Sequence, residues 1–337
     1  MRKLAALSFG MVLAACSPAA PPSGSDGTAE PTWLTLSGEP PLVIAHRGAS
    51  GDRPEHTLEA YELAIDQGTD VIEPDLVVTA DGVLVARHDA YLSTTTDIAD
   101  RPEFADRRRE LFGRDDWWVN DFTLAELRTL RAVQPMDDRS DAFDGQFGIP
   151  TFEEILELVD RREAACDCVI AIEPEVKHPA EFAEMGLDPL PLLNAALLAH
   201  GLFEEDTPVV VQSFDPGFLI RMNAVAPVRL AMLYSSPDEP GYDMDGYPLE
   251  AVAQFADAIG ANKALLFNGD GSDSGFVARV HALGLAVHVW TVRDDRDPVV
   301  GDSVEDELRA LYALGVDGVF ADYPATALRV RNEISGG

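Results

Sequence analysis

Leu42-Val43-Ile44-Ala45-His46, a helical pattern over 57–67, and then Val71-Ile72-Glu73-Pro74-Asp75 form the stretch on which the fold turns. Both short runs are almost continuously apolar, as expected of strands covered on two faces rather than one. The segment between them repeats its apolar residues at helical spacing, so the unit reads strand–helix–strand with the two strands parallel.

Working outward, the same alternation recurs. Further strands are predicted over Val169–Val176, Val209–Ser213, Val228–Tyr234, Ala256–Ile259, Leu285–Val292 and Gly318–Ala321. Helices are predicted over Thr57–Gln67, Thr151–Arg162, Pro191–His200, Pro216–Asn223, Leu249–Phe255, Ser274–Leu283 and Ser303–Leu314. Eight parallel strands in roughly 290 residues suit an α/β fold of the (β/α)8 TIM-barrel type better than an open sheet. One stretch breaks the rhythm. An extra strand is expected over Gly82–His88, followed by a long charged insertion at 91–150 that carries Trp117 and Trp118. It reads as a cap over one barrel end after the second barrel strand, with Thr123 and Glu126 opening a short helix.

The chain begins Met1-Arg2-Lys3, and a short apolar run leads to Leu13-Ala14-Ala15-Cys16. The run is too short to span a bilayer and matches a secretory signal over 1–15. Its end resembles the bacterial lipobox, which implies lipidation at Cys16. A Ser rather than an Asp at position 17 resembles outer-membrane sorting, with the protein facing the periplasm. Residues 16–40 are rich in Pro, Ser, Gly, Ala and Thr and read as a flexible tether to a barrel over 41–330. Cys166 and Cys168, placed in a strand, could pair in a strained bridge or stay free, and are too few for a zinc site.

Twenty-five basic residues against 59 acidic ones give a net charge of −34, spread along the chain. Such a surface repels nucleic acid and anionic lipid heads. A phosphate-bearing substrate would need local cations or a metal to overcome it. No protein partner is inferred.

Polar residues gather at the carboxyl ends of strands, where barrel enzymes place their chemistry. The first strand ends in His46-Arg47-Gly48. Glu73 and Asp75 share one face of the second, Glu173, Glu175 and Lys177 end the third, and the extra strand delivers His88-Asp89. Buried carboxylates are costly unless neutralised, so their convergence implies a hard divalent cation.

These motifs continue with Pro54-Glu55-His56-Thr57, Gly68-Thr69-Asp70, Asp81-Gly82 and Gln212-Ser213-Phe214-Asp215. Trp290-Thr291-Val292-Arg293 and Gly318-Val319-Phe320-Ala321-Asp322-Tyr323-Pro324 complete the set. In order and spacing the chain resembles the glycerophosphodiester phosphodiesterase family over 42–328. His56 and the long insertion are similar to the periplasmic bacterial branch. The resemblance implies a metal on Glu73, Asp75 and Glu175, calcium in that branch and magnesium in others. It implies His46 and His88 as base and acid, with Arg47 and Lys177 on the substrate phosphate. The glycerol 2-hydroxyl is then the nucleophile, through a transient cyclic phosphate. Products would be glycerol 3-phosphate and an alcohol.

Other residues carry lesser expectations. Glu55 orients its loop or supports His46, Asp89 supports His88, and Trp290 walls the substrate pocket or packs the core. Glu173 is either a fourth ligand or barrel filling paired with a cation. His178, His200, His281 and His288 read as structural, with His288 facing the barrel, and Asp70 closes a loop. Rival readings are a sphingomyelinase-D-like phospholipase acting on intact lipid, a non-catalytic surface lipoprotein, and a diesterase for another alcohol.

Overall fold

Eight parallel strands close into one ring, each strand hydrogen-bonded to the next. In the computed structural model, which describes residues 33–204, 206–235 and 247–336, they are numbered β1 to β8. They are β1 (Leu42–His46), β2 (Val71–Glu73 continuing as Asp75–Val78) and β3 (Ala171–Ile172 continuing as Glu175–Val176). Then come β4 (Val210–Ser213), β5 (Arg229–Tyr234), β6 (Ala258–Asn262), β7 (Ala286–Val292) and β8 (Gly318–Ala321). β1 pairs with both β2 and β8, which closes the ring. The remaining neighbours follow in chain order.

β2 and β3 are each split at a proline, Pro74 and Pro174, because proline donates no ladder hydrogen bond. Both prolines still accept: Glu175 N bonds Pro74 O, and Gln212 N bonds Pro174 O, each at 2.9 Å. The strands therefore continue through the break with their carboxylates in register. His46 lies opposite Glu73, and Asp75, Glu175 and Gln212 share one rung.

Helices cover the outside of the ring. Thr57 caps the helix Leu58–Gln67 by accepting from Ala60 N, and Gly68 ends it at φ 90°, in the left-handed region that glycine adopts without strain. Thr151 and Glu154 form a reciprocal capping box on Phe152–Cys166, which buries Phe152, Ile155, Leu156 and Val159 against the barrel. The same box occurs at Thr123 and Glu126, as the spacing predicts.

The insertion after β2 begins with the strand Leu84–Ala86, antiparallel to the outer half of β2. A hairpin of Arg109–Leu111 and Arg114–Asp116 follows. Trp117 and Trp118 are buried, with Tyr91 and Phe112 edge-on to Trp118. Phe112 stacks on His178 after β3, while Gln134 and Arg139 bond Ser50 O after β1. The segment thus lies along the carboxyl rim of the barrel.

The structure corrects several expectations. Strand β3 begins at Ala171, not Val169, whose side chain is 71% exposed. Cys166 ends a helix instead of lying in a strand. Asp167 turns left-handed at φ 54°, which brings Cys168 back to form a disulfide with Cα atoms 5.2 Å apart. Strand β6 spans Ala258–Asn262 rather than Ala256–Ile259, since Asp257 is spent bridging to Leu230 N. The helices Pro179–Glu184 and Pro324–Ile334 were not anticipated. The signal segment and Cys16 lie outside the described residues. The end of the stretch read as tether rests on the barrel: Trp33 is edge-on to Tyr312, and Leu36 N bonds Asp317 Oδ1.

Candidate active site

A cavity of about 420 Å³ opens at the carboxyl ends of the strands. Into it project His46, Arg47, Glu73, His88, Glu175 and Lys177, walled by Phe214 and Trp290.

The turn after β1 sets the first two. Arg47 and Gly48 both adopt positive φ, 60° and 84°. A Cβ at Gly48 would lie 2.6 Å from the Ala60 carbonyl carbon, so only glycine allows the chain to fold this closely onto its helix. The fold-back places Arg47 N within hydrogen bonds of Glu73 O (3.1 Å) and Glu73 Oε2 (2.9 Å). The Arg47 guanidinium meets Glu55 at 2.9 Å and Asp75 at 3.3 Å.

Oxygen atoms of Glu73, Asp75 and Glu175 lie within 4.8 Å of one another, all buried. These three could hold a metal ion. Lys177 Nζ sits 2.7 Å from Glu175 and 3.3 Å from Asp75. Asp75 also receives His56 Nε2 at 2.9 Å, while His56 Nδ1 meets the Tyr61 hydroxyl at 2.7 Å. Asp75 Oδ1 has no hydrogen-bond partner. Three carboxylates at this spacing, with Asp75 Oδ1 facing only the Lys177 charge, fit a hard divalent cation.

The electrostatics divide the three acids. Burial, with the charges of Asp75 and Glu175, raises Glu73 well above the usual carboxylate range. Burial raises Glu175 too, to about 8, against the pull of Lys177. Burial acts the same way on Asp75, but Lys177, His56 and Arg47 outweigh it and hold Asp75 low. Like charges this close cannot all ionise cheaply.

The two histidines are each held by one nitrogen. His46 Nδ1 bonds Asp322 Oδ1 at 2.7 Å, and His88 Nδ1 bonds Asp89 Oδ1 at 3.0 Å. Burial and then the Arg47 charge lower His46 to about 4, against the pull of Asp322. Burial lowers His88 as well, helped by Arg47 and Lys177. Burial would raise Asp322, but the His46 bond and the charges of Arg293 and Arg139 keep it ionised. An ionised partner fixes the proton on Nδ1 and leaves Nε2 as the accepting nitrogen.

Of the residues that the sequence singles out, His46, His88, Arg47, Lys177, Glu73 and Glu175 line one cavity, and Asp75 lies behind it within the acid cluster. Trp290 lines it, edge-on to Phe214 at 5.8 Å, with its indole N–H on Gly260 O. Glu55 does not reach His46: it pairs with Arg47, which with its neighbours offsets burial and brings Glu55 to about 2. Glu173 stands apart from the acid cluster, bonded to His288 Nδ1 at 2.8 Å inside the barrel. Asp70 bonds Val43 N and pairs with Arg331. Four contributors carried no assigned role: His56 on Asp75, Asp322 on His46, Arg139 on Asp322, and Arg87, whose guanidinium holds Glu55 O. The motifs contained His56 and Asp322, but nothing local reveals partners 19 and 276 residues away.

Comparisons with known proteins agree with this geometry. Residues 46–326 match the glycerophosphoryl diester phosphodiesterase family model. A glycerophosphodiester phosphodiesterase of Haemophilus influenzae is 30% identical over 327 residues, covering 85% of this chain and 88% of that protein. The Arabidopsis thaliana glycerophosphodiester phosphodiesterase GDPD6 is 30% identical over 320 residues, covering 84% of each. A solved structure from Silicibacter pomeroyi superposes with TM-score 0.67 at 25% identity, covering 89% of this chain and 98% of that one. The fold of an Oleispira antarctica phosphodiesterase, solved with its product sn-glycerol-3-phosphate, also matches, with TM-score 0.63 at 24% identity over 88% of this chain and 99% of that one. With five-sixths of its length inside the family model and relatives aligned along nearly the whole barrel, this chain belongs to the glycerophosphoryl diester phosphodiesterase family.

Proposed function

We propose that this enzyme hydrolyses glycerophosphodiesters, the deacylated forms of phospholipids, to glycerol 3-phosphate and an alcohol. The observation that carries the reading is one cavity lined by two oriented histidines, two cations and two of three clustered carboxylates. The product seen in the Oleispira antarctica structure, and the names of the two 30%-identical relatives, support the substrate class.

Glu73, Asp75 and Glu175 would hold a divalent cation, calcium first and magnesium as the alternative, which when bound supplies positive charge to a non-bridging phosphate oxygen. The rest falls to the chain itself. Arg47 presents a planar fork to the phosphate and Lys177 a point charge. Both are already held by carboxylates, so their orientation is set before the phosphate arrives. One imidazole Nε2 takes the proton of the attacking glycerol hydroxyl while the other ring, protonated on both nitrogens, gives its Nε2 proton to the departing alkoxide; water then opens the cyclic phosphate to glycerol 3-phosphate with the two roles exchanged. A lowered pKa favours the neutral, proton-accepting form of the ring that acts as base and makes the protonated ring a readier donor. Phe214 and Trp290 form an apolar wall suited to the carbon face of glycerol.

The chain is further proposed to be an envelope lipoprotein of the periplasmic branch, anchored through Cys16 and sorted to the outer membrane. The Leu13-Ala14-Ala15-Cys16 signal supports this. Trp33 and Leu36 meet the barrel near Tyr312 and Asp317, at the amino end of β8.

The test is a coupled assay for released glycerol 3-phosphate, run with glycerophosphocholine, glycerophosphoethanolamine and glycerophosphoglycerol in calcium or magnesium. Release in at least one combination, abolished by a chelator and restored by the metal, is expected. No release from any head group in either metal would sink the reading.

A further inference from the structure

Asp322 directly follows β8 and is 2% exposed, with both carboxylate oxygens committed. Oδ1 holds His46 Nδ1 at 2.7 Å. Oδ2 receives Arg139 Nη2 at 2.5 Å and Arg293 Nε at 2.9 Å. Arg293 belongs to the barrel, in the loop after β7, and lines the cavity. Arg139 does neither. It comes from the insertion, 183 residues from Asp322 in sequence, and its side chain is only 3% exposed.

Burying an arginine this deeply is costly unless its fork is fully matched. Here it is. Nε and Nη2 grip Asp295 at 2.6 and 3.2 Å, Nη1 donates to Ser50 O at 3.1 Å, and Nη2 reaches Asp322. The three partners lie in the loops after β7, β1 and β8. A single side chain of the insertion therefore ties together three loops of the mouth, and the one after β1 follows directly from His46.

We propose that Arg139 is a positioning residue for His46: the insertion supplies the more deeply buried of the two cations that fix Asp322, so that Asp322 holds Nδ1 and aims Nε2 into the cavity. This rests on the reading of His46 as the base or acid of the reaction. Without Arg139, Oδ2 keeps only the bond from Arg293, a partly exposed side chain of the cavity wall, so Asp322 could rotate about its χ2 and loosen the imidazole, and partners that orient a functional ring through an intermediate commonly contribute on the order of 10- to 100-fold in activity. The insertion is then part of the catalytic apparatus and not only a cover over the barrel.

The experiment uses the full chain with its metal. Arg139→Ala is expected to lower kcat on the order of 10- to 100-fold with KM little changed, because substrate does not touch Arg139. Arg139→Lys should recover part of the loss, and added guanidinium should rescue Arg139→Ala but not the wild type. Asp295→Asn, which loosens Arg139 without touching Asp322, should lie between wild type and Arg139→Ala. Independently of turnover, the hydrogen-bonded Nδ1 proton of His46, followed by NMR, should be present in wild type and lost or shifted in Arg139→Ala. Wild-type kcat in a folded Arg139→Ala protein would overturn the proposal, as would a loss of kcat that guanidinium fails to rescue while the Nδ1 signal is intact. Absence of glycerol 3-phosphate release by the wild type would instead strike the functional reading, and the NMR signal would still decide the positioning claim.

Discussion

The two ends of the barrel interior solve the same problem in opposite ways. At the amino end, Glu173 and His288 are buried together, and each satisfies the other through bonds of 2.8 and 3.0 Å. At the carboxyl end, three carboxylates crowd within 4.8 Å beside Arg47 and Lys177. Arg47 Nε, Glu55 Oε1, Asp75 Oδ1 and Gln212 Oε1 all lie buried there without a hydrogen bond, and neither Glu173 nor His288 shows such an atom. A closed pair is what stability alone would select. An assembly with pKa values driven apart and donors left over is organised around something that binds. Only Pro174 separates Glu173 from Glu175 in sequence, yet one closes a buried pair and the other faces the cavity.

The contrast is broken or sharpened first by removing the histidines. His46→Ala or His88→Ala should lower turnover by about 10²–10⁴-fold, the usual share of acid–base catalysis, with thermal unfolding close to wild type. A fold that collapses with either change would mean that these rings serve packing, as His288 does. A milder test addresses the acids. Burial and two neighbouring carboxylates raise Glu73, so in chelator-treated protein its negative charge opposes folding. Glu73→Gln keeps one acceptor, for Arg47 N, and turns its NH2 toward Gln212, whose amide can flip to offer its unbonded Oε1. It should abolish activity while stabilising the metal-free fold by up to ~1 kcal/mol, seen as a Tm rise of roughly 2–4 °C. A marked fall in Tm would show that this end too was built for stability.

How far the sequence discloses this depends on whether a residue's partners are local. The strand ends were legible because His46-Arg47-Gly48, Glu73-Pro74-Asp75 and Glu175-Val176-Lys177 put costly groups at the end of apolar runs. The prolines fit that logic once the paired halves of β2 and β3 are seen, although the break itself was not anticipated. By contrast, the sequence marks His56 only as a feature of the motif at 54–57, and its hold on Asp75 shows only when Tyr61 and Asp75 enclose it. Arg139 is one of several arginines in a charged insertion and becomes distinct only when the tertiary fold closes three loops around it. The helix Pro324–Ile334 was missed for a related reason: Arg329, Arg331 and Glu333 dilute its apolar stripe, and docking onto β1 and the first helix decides it.

The smallest predicted effect belongs to the amino end and concerns pH. Burial works to lower His288, but the Glu173 carboxylate beside it outweighs burial and raises its pKa above 6.5. A group that binds its proton more tightly when folded adds stability that is complete below its unfolded pKa, near 6.5, and that fades as pH rises through the folded value. Denaturant unfolding of the wild type should therefore show a component of stability that declines above pH 6.5. In Glu173→Gln that component should vanish, and the protein should lose about 1–3 kcal/mol at pH 6, where the buried imidazole is left without its carboxylate. The same substitution should leave kcat little changed, since Glu173 lies outside the acid cluster and away from the cavity. If instead Glu173→Gln cost activity in proportion to Glu73→Gln, Glu173 would have to be counted with the cation-binding acids, and the division between the two ends of the barrel would move down by one rung.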